Sequence, residues 1–253
     1  MKELKSEILA EANRLGFLLA GVTHPDPPNS FPTYEQWLDA GRHAEMAYLA
    51  TDRARQRRSD PCLILPEVKS ILVLGFPYRA PVDRYEPPGQ QLTGKVAAYA
   101  AGEDYHHTIP PLLEQIILFA QARTGQPLIW RGYTDTGPIL ERDLAMRAGL
   151  GWIGKNCLFV SPEFGCGIRL ATVLTDATLP AGKPMMEQRC GECSTCVKAC
   201  PYGAISGVAW YPGIARERLF DPVLCSSARE KAIPKLGYKH PCGLCIKSCP
   251  IGG

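Results

Sequence analysis

The chain has 253 residues, 45% apolar and 21% charged, with a net charge of +3 and 11 cysteines. That length suits one large domain or two modest ones with a sizeable core, and the charge is too small to argue for nucleic acid. Eight cysteines crowd the last part of the chain, whereas Cys62, Cys157 and Cys166 stand apart. A chain this long needs no disulfide staples and opens without a secretory signal, so clustered thiols point to metal in a soluble cytoplasmic protein. No apolar run reaches the roughly 18 residues of a membrane span.

Leu4, Ile8, Leu9, Ala12 and Leu15 recur at helical spacing, and Gly16 closes that helix. Residues 17–22 read as a short buried strand, and 33–49 as helical segments carrying Tyr34, Trp37, Leu38, Met46, Tyr48 and Leu49. Residues 70–76 form the clearest strand, apolar almost throughout and therefore expected in the middle of a sheet. Five prolines or glycines mark residues 80–95 as a surface loop. A helix is expected over 109–123 with Pro110 and Pro111 in its first turn, where proline is tolerated. Then come a strand over 127–130, a helix over 140–148, and a last pair of strands over 158–160 and 170–174. This is mixed α/β over 1–180, with residues 179–184 reading as a linker into a separate thiol-rich domain over 181–253. No heptads, low-complexity tract or solenoid repeat occurs, although the thiol-rich part is a degenerate duplication.

Cys190-x2-Cys193-x2-Cys196-x3-Cys200-Pro201 matches the bacterial ferredoxin run, in which three close thiolates hold one cubane and the fourth reaches to another. Cys242-x2-Cys245-x3-Cys249-Pro250 is a second copy, with Cys225 standing in for its first cysteine. The crossed assignment gives Cys190, Cys193, Cys196 and Cys249 to one cluster and Cys200, Cys225, Cys242 and Cys245 to the other. Oxidised clusters at about −2 each would bring the net charge to about −1. Pro201 and Pro250 turn the chain away, and Gly191 and Gly243 let amides approach sulfide. Two four-cysteine zinc sites would also use Cys-x2-Cys, but need neither the third cysteine nor Cys-Pro twice. His43-Ala44-Glu45 with Pro241-Cys242-x2-Cys245 spells a zinc-deaminase signature, yet the ferredoxin pattern already claims those cysteines.

Gly149-Leu150-Gly151-Trp152-Ile153-Gly154-Lys155 fits both common phosphate-loop formulas. A helix precedes it and a strand follows, the reverse of what a nucleotide site requires, and Asn156 occupies the Ser/Thr position. The glycines point instead to backbone packed against some flat or bulky group.

Together, Asp135-Thr136-Gly137-Pro138-Ile139-Leu140-Glu141, Ala148 to Lys155, Asp104-Tyr105-His106, Arg58-Ser59-Asp60-Pro61 and the double cysteine module resemble epoxyqueuosine reductases, over essentially the whole chain. The resemblance implies a nitroreductase-like cobalamin-binding domain followed by a ferredoxin-like domain with two [4Fe-4S] clusters, an arrangement shared with reductive dehalogenases. It implies removal of the epoxide oxygen from the queuosine precursor in a tRNA anticodon stem-loop, with electrons from an external ferredoxin or flavodoxin. Breaking an epoxide C–O bond needs two electrons, a strong nucleophile such as Co(I), and a proton for the leaving oxygen.

Asp135, in the family's Asp-x-x-Pro element, is the implied proton donor. That role asks for burial to lift its pKa above the usual value of about 3.9; the competing role is an N-cap for the helix after Pro138. Tyr105, His106, Trp152, Gly154 and Lys155 are the implied corrin contacts. His106 could ligate cobalt on chemistry alone, whereas the resemblance implies a base-off cofactor without a protein ligand. Arg53, Arg55, Arg57 and Arg58 read as a solvated helix face, with RNA backbone as the alternative partner. Cys157 and Cys166 read as buried small hydrophobes.

The chain departs from the family pattern in Cys249-Pro250-Ile251-Gly252, where the family has Cys-Pro-Trp-Asn, and in Lys155-Asn156, where it has Lys-His. It is expected to be a short form without the C-terminal helical repeats that help hold tRNA. Two other readings stay open: a corrinoid reductase of another substrate, dehalogenase-like or reducing a partner's cobalt, and a non-catalytic electron-transfer module.

Overall fold

The computed structural model describes residues 2–43, 46–77, 103–230 and 242–252. The loop expected at 80–95 lies outside the described residues, as do Ala44, Glu45 and Pro241 of the deaminase-like signature.

Helix α1 (Lys2–Arg14) is followed by strand β1 (Leu19–Thr23), with Gly16 in the left-handed region between them. Helices α2 (Phe31–Asp39) and α3 (Asp52–Ser59) lead to β2 (Ser70–Pro77). Then come α4 (Tyr105–Thr124), β3 (Trp130–Thr134), α5 (Glu141–Arg147), β4 (Trp152–Ile153), β5 (Phe159–Val160) and β6 (Ile168–Thr175).

The main sheet has the order β1-β2-β6-β3 with every pairing antiparallel, so β2 is internal as its apolar run required. Alternation along β2 explains why almost every residue is apolar. Leu72 and Leu74 face a core built with Ile8 and Ala12 of α1 and Leu113 and Ile116 of α4, while Ile71 and Val73 face Leu144 and Ala145 of α5. Helices on both faces bury both sets.

Four expectations change. Helix α4 begins at Tyr105, because the Asp104 carboxylate accepts the His106 N–H at 2.9 Å and caps the helix. Pro110 and Pro111 therefore lie beyond the first turn. The strand expected at 127–130 runs over Trp130–Thr134, paired with β6 from Trp130 opposite Thr175 to Thr134 opposite Ala171. The segments at 158–160 and 170–174 do not pair with each other: β5 pairs with β4, and β6 joins the main sheet.

The expected linker at 179–184 is pinned along its length. Leu179 exchanges hydrogen bonds with the Ser70 hydroxyl, and the Gly182 N–H donates to the Val22 carbonyl at 2.7 Å. Just beyond, the Met185 N–H donates to the Met146 carbonyl at 2.8 Å. The thiol-rich region packs on the α/β part through two apolar clusters, one joining Met146 and Ile153 to Trp210 and Ile214, the other joining Trp152 and Val160 to Ile246 and Ile251.

Candidate functional site

A cavity of about 480 Å³ opens between the sheet and the thiol-rich region. This is within the usual range for small-molecule and cofactor sites, about 300–1,000 Å³. Ile139, Ile153, Phe159, Ile168 and Trp210 supply apolar wall, while Tyr105, Asp135 and Glu141 stand on one side and Arg142 and Arg216 on another.

Asp135 follows directly on β3 with φ of +56°, a conformation that Asp tolerates better than most residues. Its carboxylate accepts the Tyr105 hydroxyl proton at 2.6 Å and lies 3.7 Å from His106 Nε2. The Tyr105 ring stacks on His106 at 4.2 Å, and the Arg169 guanidinium covers its other aspect, also at 4.2 Å. His106 is turned by its Nδ1, 2.7 Å from the Asp104 carboxylate. Burial, then the hydrogen bond to Asp135, pushes the Tyr105 hydroxyl well above its ordinary pKa, so it stays protonated and donates.

Asp135 is not the N-cap of α5, which is Leu140, and its side chain is 64% exposed rather than buried. Beside it stands the half-buried Glu141, whose Oε1 accepts the Asp135 backbone N–H at 3.1 Å. Burial, reinforced by the Asp135 charge against the Asp135 N–H bond, pushes Glu141 up to about 8. The sequence carries Glu141 in the same motif as Asp135, but the signal that singles it out is burial, which needs the start of α5 to be known.

A pH dependence follows. The folded state keeps the Glu141 proton from its ordinary value of 4.5 up to about 8, whereas the unfolded chain releases it near 4.5. Folding stability from this group is therefore full in acid and lost as pH rises through that window. Urea unfolding at pH 5 and pH 8.5 should show Glu141→Gln with a shallower loss of stability than the parent. Asp143, also raised by burial, leaves a residual slope in both.

Arg58 is buried and holds the loop beside this group, donating to the Gly137 carbonyl at 3.1 Å and the Ala54 carbonyl at 3.3 Å. Arg55 pairs with Asp39 at 2.6 Å. The basic run is thus not a simple solvated face: two of its four arginines act within the fold.

Of the five expected corrin contacts Tyr105 lines the cavity, whereas His106, Trp152, Gly154 and Lys155 do not. The Trp152 indole N–H points to Cys190 Sγ at 3.5 Å, and Lys155 Nζ donates to the Gly191 and Cys193 carbonyls at 2.6 and 3.1 Å. A Cβ on Gly154 would lie 3.6 Å from Cys190 Sγ. The glycine segment therefore packs on its own chain: a Cβ on Gly151 would fall 2.1 Å from the Val160 carbonyl oxygen, which only glycine permits.

Burial and then Cys190, Cys193 and Cys249 push the Cys196 thiol up, and burial and then Cys242, Cys225, Cys196 and Cys200 push Cys245 up to about 11. Thiols of the two motifs therefore lie near one another. Among the described residues no three His, Cys, Asp or Glu converge as ligands of a single ion.

Residues 58–136 match the family model described as epoxyqueuosine reductase QueG, DUF1730, and residues 185–206 match the 4Fe-4S binding domain. The thiol module is accordingly an iron–sulfur one. The epoxyqueuosine reductase of Cyclobacterium marinum is 32% identical over 94% of this chain and 76% of its own length. This chain belongs to the epoxyqueuosine reductase family. Another epoxyqueuosine reductase, from Synechocystis sp., is 34% identical over 74% of this chain, which covers 62% of that relative. A crystal structure of selenomethionine-labelled epoxyqueuosine reductase superposes with a TM-score of 0.77 at 25% identity, over 99% of this chain and 66% of that one. The chain thus spans a little under two thirds of those two proteins. No helix among the described residues is long and apolar enough to cross a membrane.

Proposed function

We propose that this epoxyqueuosine reductase family member is a cobalamin- and iron–sulfur-dependent reductase that removes the epoxide oxygen of epoxyqueuosine in tRNA to give queuosine. The observation that carries this reading is the hydrogen-bonded carboxylate of Asp135 at a cavity whose other side meets the thiol module. On this reading a proton source and an electron path would meet at one space, which Trp210, Ile214 and Arg216 of the thiol-rich region help to enclose.

The lining supports one face of a corrinoid seated against the cavity. Its walls are mixed apolar and aromatic, and the buried Arg216 Nε has no hydrogen-bond partner. Burial, then the neighbouring Arg142 charge, lowers Arg216 to about 10, so an acceptor on the guest would relieve an unfavourable pair of cations. Tyr105 would stand against this group with His106 stacked on its ring, while Trp152, Gly154 and Lys155 serve it indirectly by seating the cluster loop. When bound, cobalamin supplies a low-potential cobalt nucleophile for the C–O bond.

The protein residues manage the proton. Asp135, 64% exposed at the cavity on a strained backbone, would become a proton donor once a bound guest covers its carboxyl and so favours the protonated form, and Tyr105 fixes that carboxyl's direction. Glu141, protonated at neutral pH, holds the Asp135 backbone from beneath. The two crossed sets of cysteines would carry two [4Fe-4S] clusters that pass electrons singly from an external low-potential donor.

The test is turnover of an epoxyqueuosine-containing anticodon stem-loop by anaerobically reconstituted protein with cobalamin and a chemical reductant. Queuosine formation is the expected result. Tight cobalamin binding with no conversion would overturn the substrate, and iron without cobalamin binding would favour a bare electron carrier.

A further inference from the structure

Buried donors aimed at the thiol sulfurs come from outside the cysteine motifs. Trp152 is 2% exposed, and its indole N–H, which can only donate, points at Cys190 Sγ at 3.5 Å. Cys166 is 4% exposed, lines the cavity on one side and hydrogen-bonds Cys249 on the other. Asn156 Nδ2 donates to Cys166 Sγ at 3.3 Å, which leaves the Cys166 S–H to be given onward to Cys249. On the two-cluster reading Cys190 and Cys249 serve the same cluster, and both donors are supplied by the segment from β4 to β6 rather than by the cysteine-rich region.

We propose that Trp152 and Cys166 are positioning residues that raise the reduction potential of the cluster held by Cys190, Cys193, Cys196 and Cys249. The inference rests on the two-cluster reading. Reduction places additional negative charge on the cluster and its thiolates, and N–H and S–H donors stabilise that charge more than they stabilise the oxidised form. The Asn156–Cys166–Cys249 chain adds polarisation, because each bond strengthens the next. Both donors reach the cluster only when the thiol-rich region is seated on the α/β part, so docking itself sets the potential. An electron entering the pair then rests on the cluster beside the cavity.

The experiment is an anaerobic redox titration of the reconstituted full chain followed by electron paramagnetic resonance. Trp152→Phe keeps the ring and deletes the N–H; Cys166→Ala deletes the S–H and little volume. Each variant is expected to retain about eight iron per chain. Each should lower the reduced-to-oxidised ratio of one cluster about tenfold at fixed ambient potential, or about 59 mV for one electron, leaving the second signal in place. Unchanged potentials at full iron loading, or equal shifts in both signals, overturn the inference. If Trp152→Phe does not fold, Cys166→Ala decides alone. A parent protein that takes up no iron instead overturns the two-cluster reading.

Discussion

Asp135→Asn is expected to lower single-turnover reduction of epoxyqueuosine by about 10²–10⁴, the usual contribution of a general acid. Stability should change by no more than about 0.5 kcal/mol, as for an exposed substitution. The geometry separates the two effects. The side chain is 64% exposed, the cap position of α5 belongs to Leu140, and Asn is at least as comfortable as Asp at a φ of +56°. The backbone N–H that Glu141 accepts is untouched, and Tyr105 can still donate to an amide oxygen. What Asn cannot do is release a proton. Cobalamin and cluster absorption bands should be those of the parent, so that the measured loss lies in the chemical step. Full turnover by this variant would remove Asp135 from the mechanism.

Gly165→Ala should strip about half the iron from the protein, leaving about four of the eight expected for two clusters. Gly165 closes a turn with the Ser161 bridge at a φ of +58°, and a Cβ there would fall 1.8 Å from the Ile251 carbonyl oxygen. Backbone meets backbone, so no side-chain rotation relieves the clash. The Ile251 segment must lift away, and Cys249, two positions before it, leaves its proposed cluster. Gly167→Ala is the matched control, because its added Cβ would meet only the Phe164 carbonyl oxygen at 3.8 Å, an ordinary contact. Iron analysis and electron paramagnetic resonance on the two variants decide the matter: equal iron in both would separate the turn from cluster retention.

The iron–sulfur character of the first cysteine run was readable from sequence because cluster ligation imposes spacing that survives without knowledge of the fold. The internal position of β2 was readable for a similar reason, since a run with no polar side has to be covered on both faces. The start of α4 was misplaced because two prolines suggested a first turn, although Asp104 already stood as a cap next to the aromatic pair. Glu141 and Arg58 were harder. Their roles depend on which atoms meet in the fold: a half-buried carboxyl bonded to the Asp135 N–H and a guanidinium bonded to the Gly137 carbonyl. No periodicity reports that. The glycine segment misled in another way, because its tight contacts are with the chain's own backbone at Val160 rather than with a guest.

The proposed sharing of one cluster by Cys249 with Cys190, Cys193 and Cys196 would have a consequence for biogenesis. In the crossed arrangement neither metal site can be completed from one contiguous piece of chain, since each borrows a ligand from the other motif. A ribosome that has released the first motif has made only three of the four thiolates for that site. Assembly factors would meet a half-built cage until residues 242–252 emerge and the Ile251 backbone settles against Gly165. Iron loading would then act as a checkpoint on complete synthesis: both sites fill in full-length chains, and a chain broken between the two motifs keeps neither.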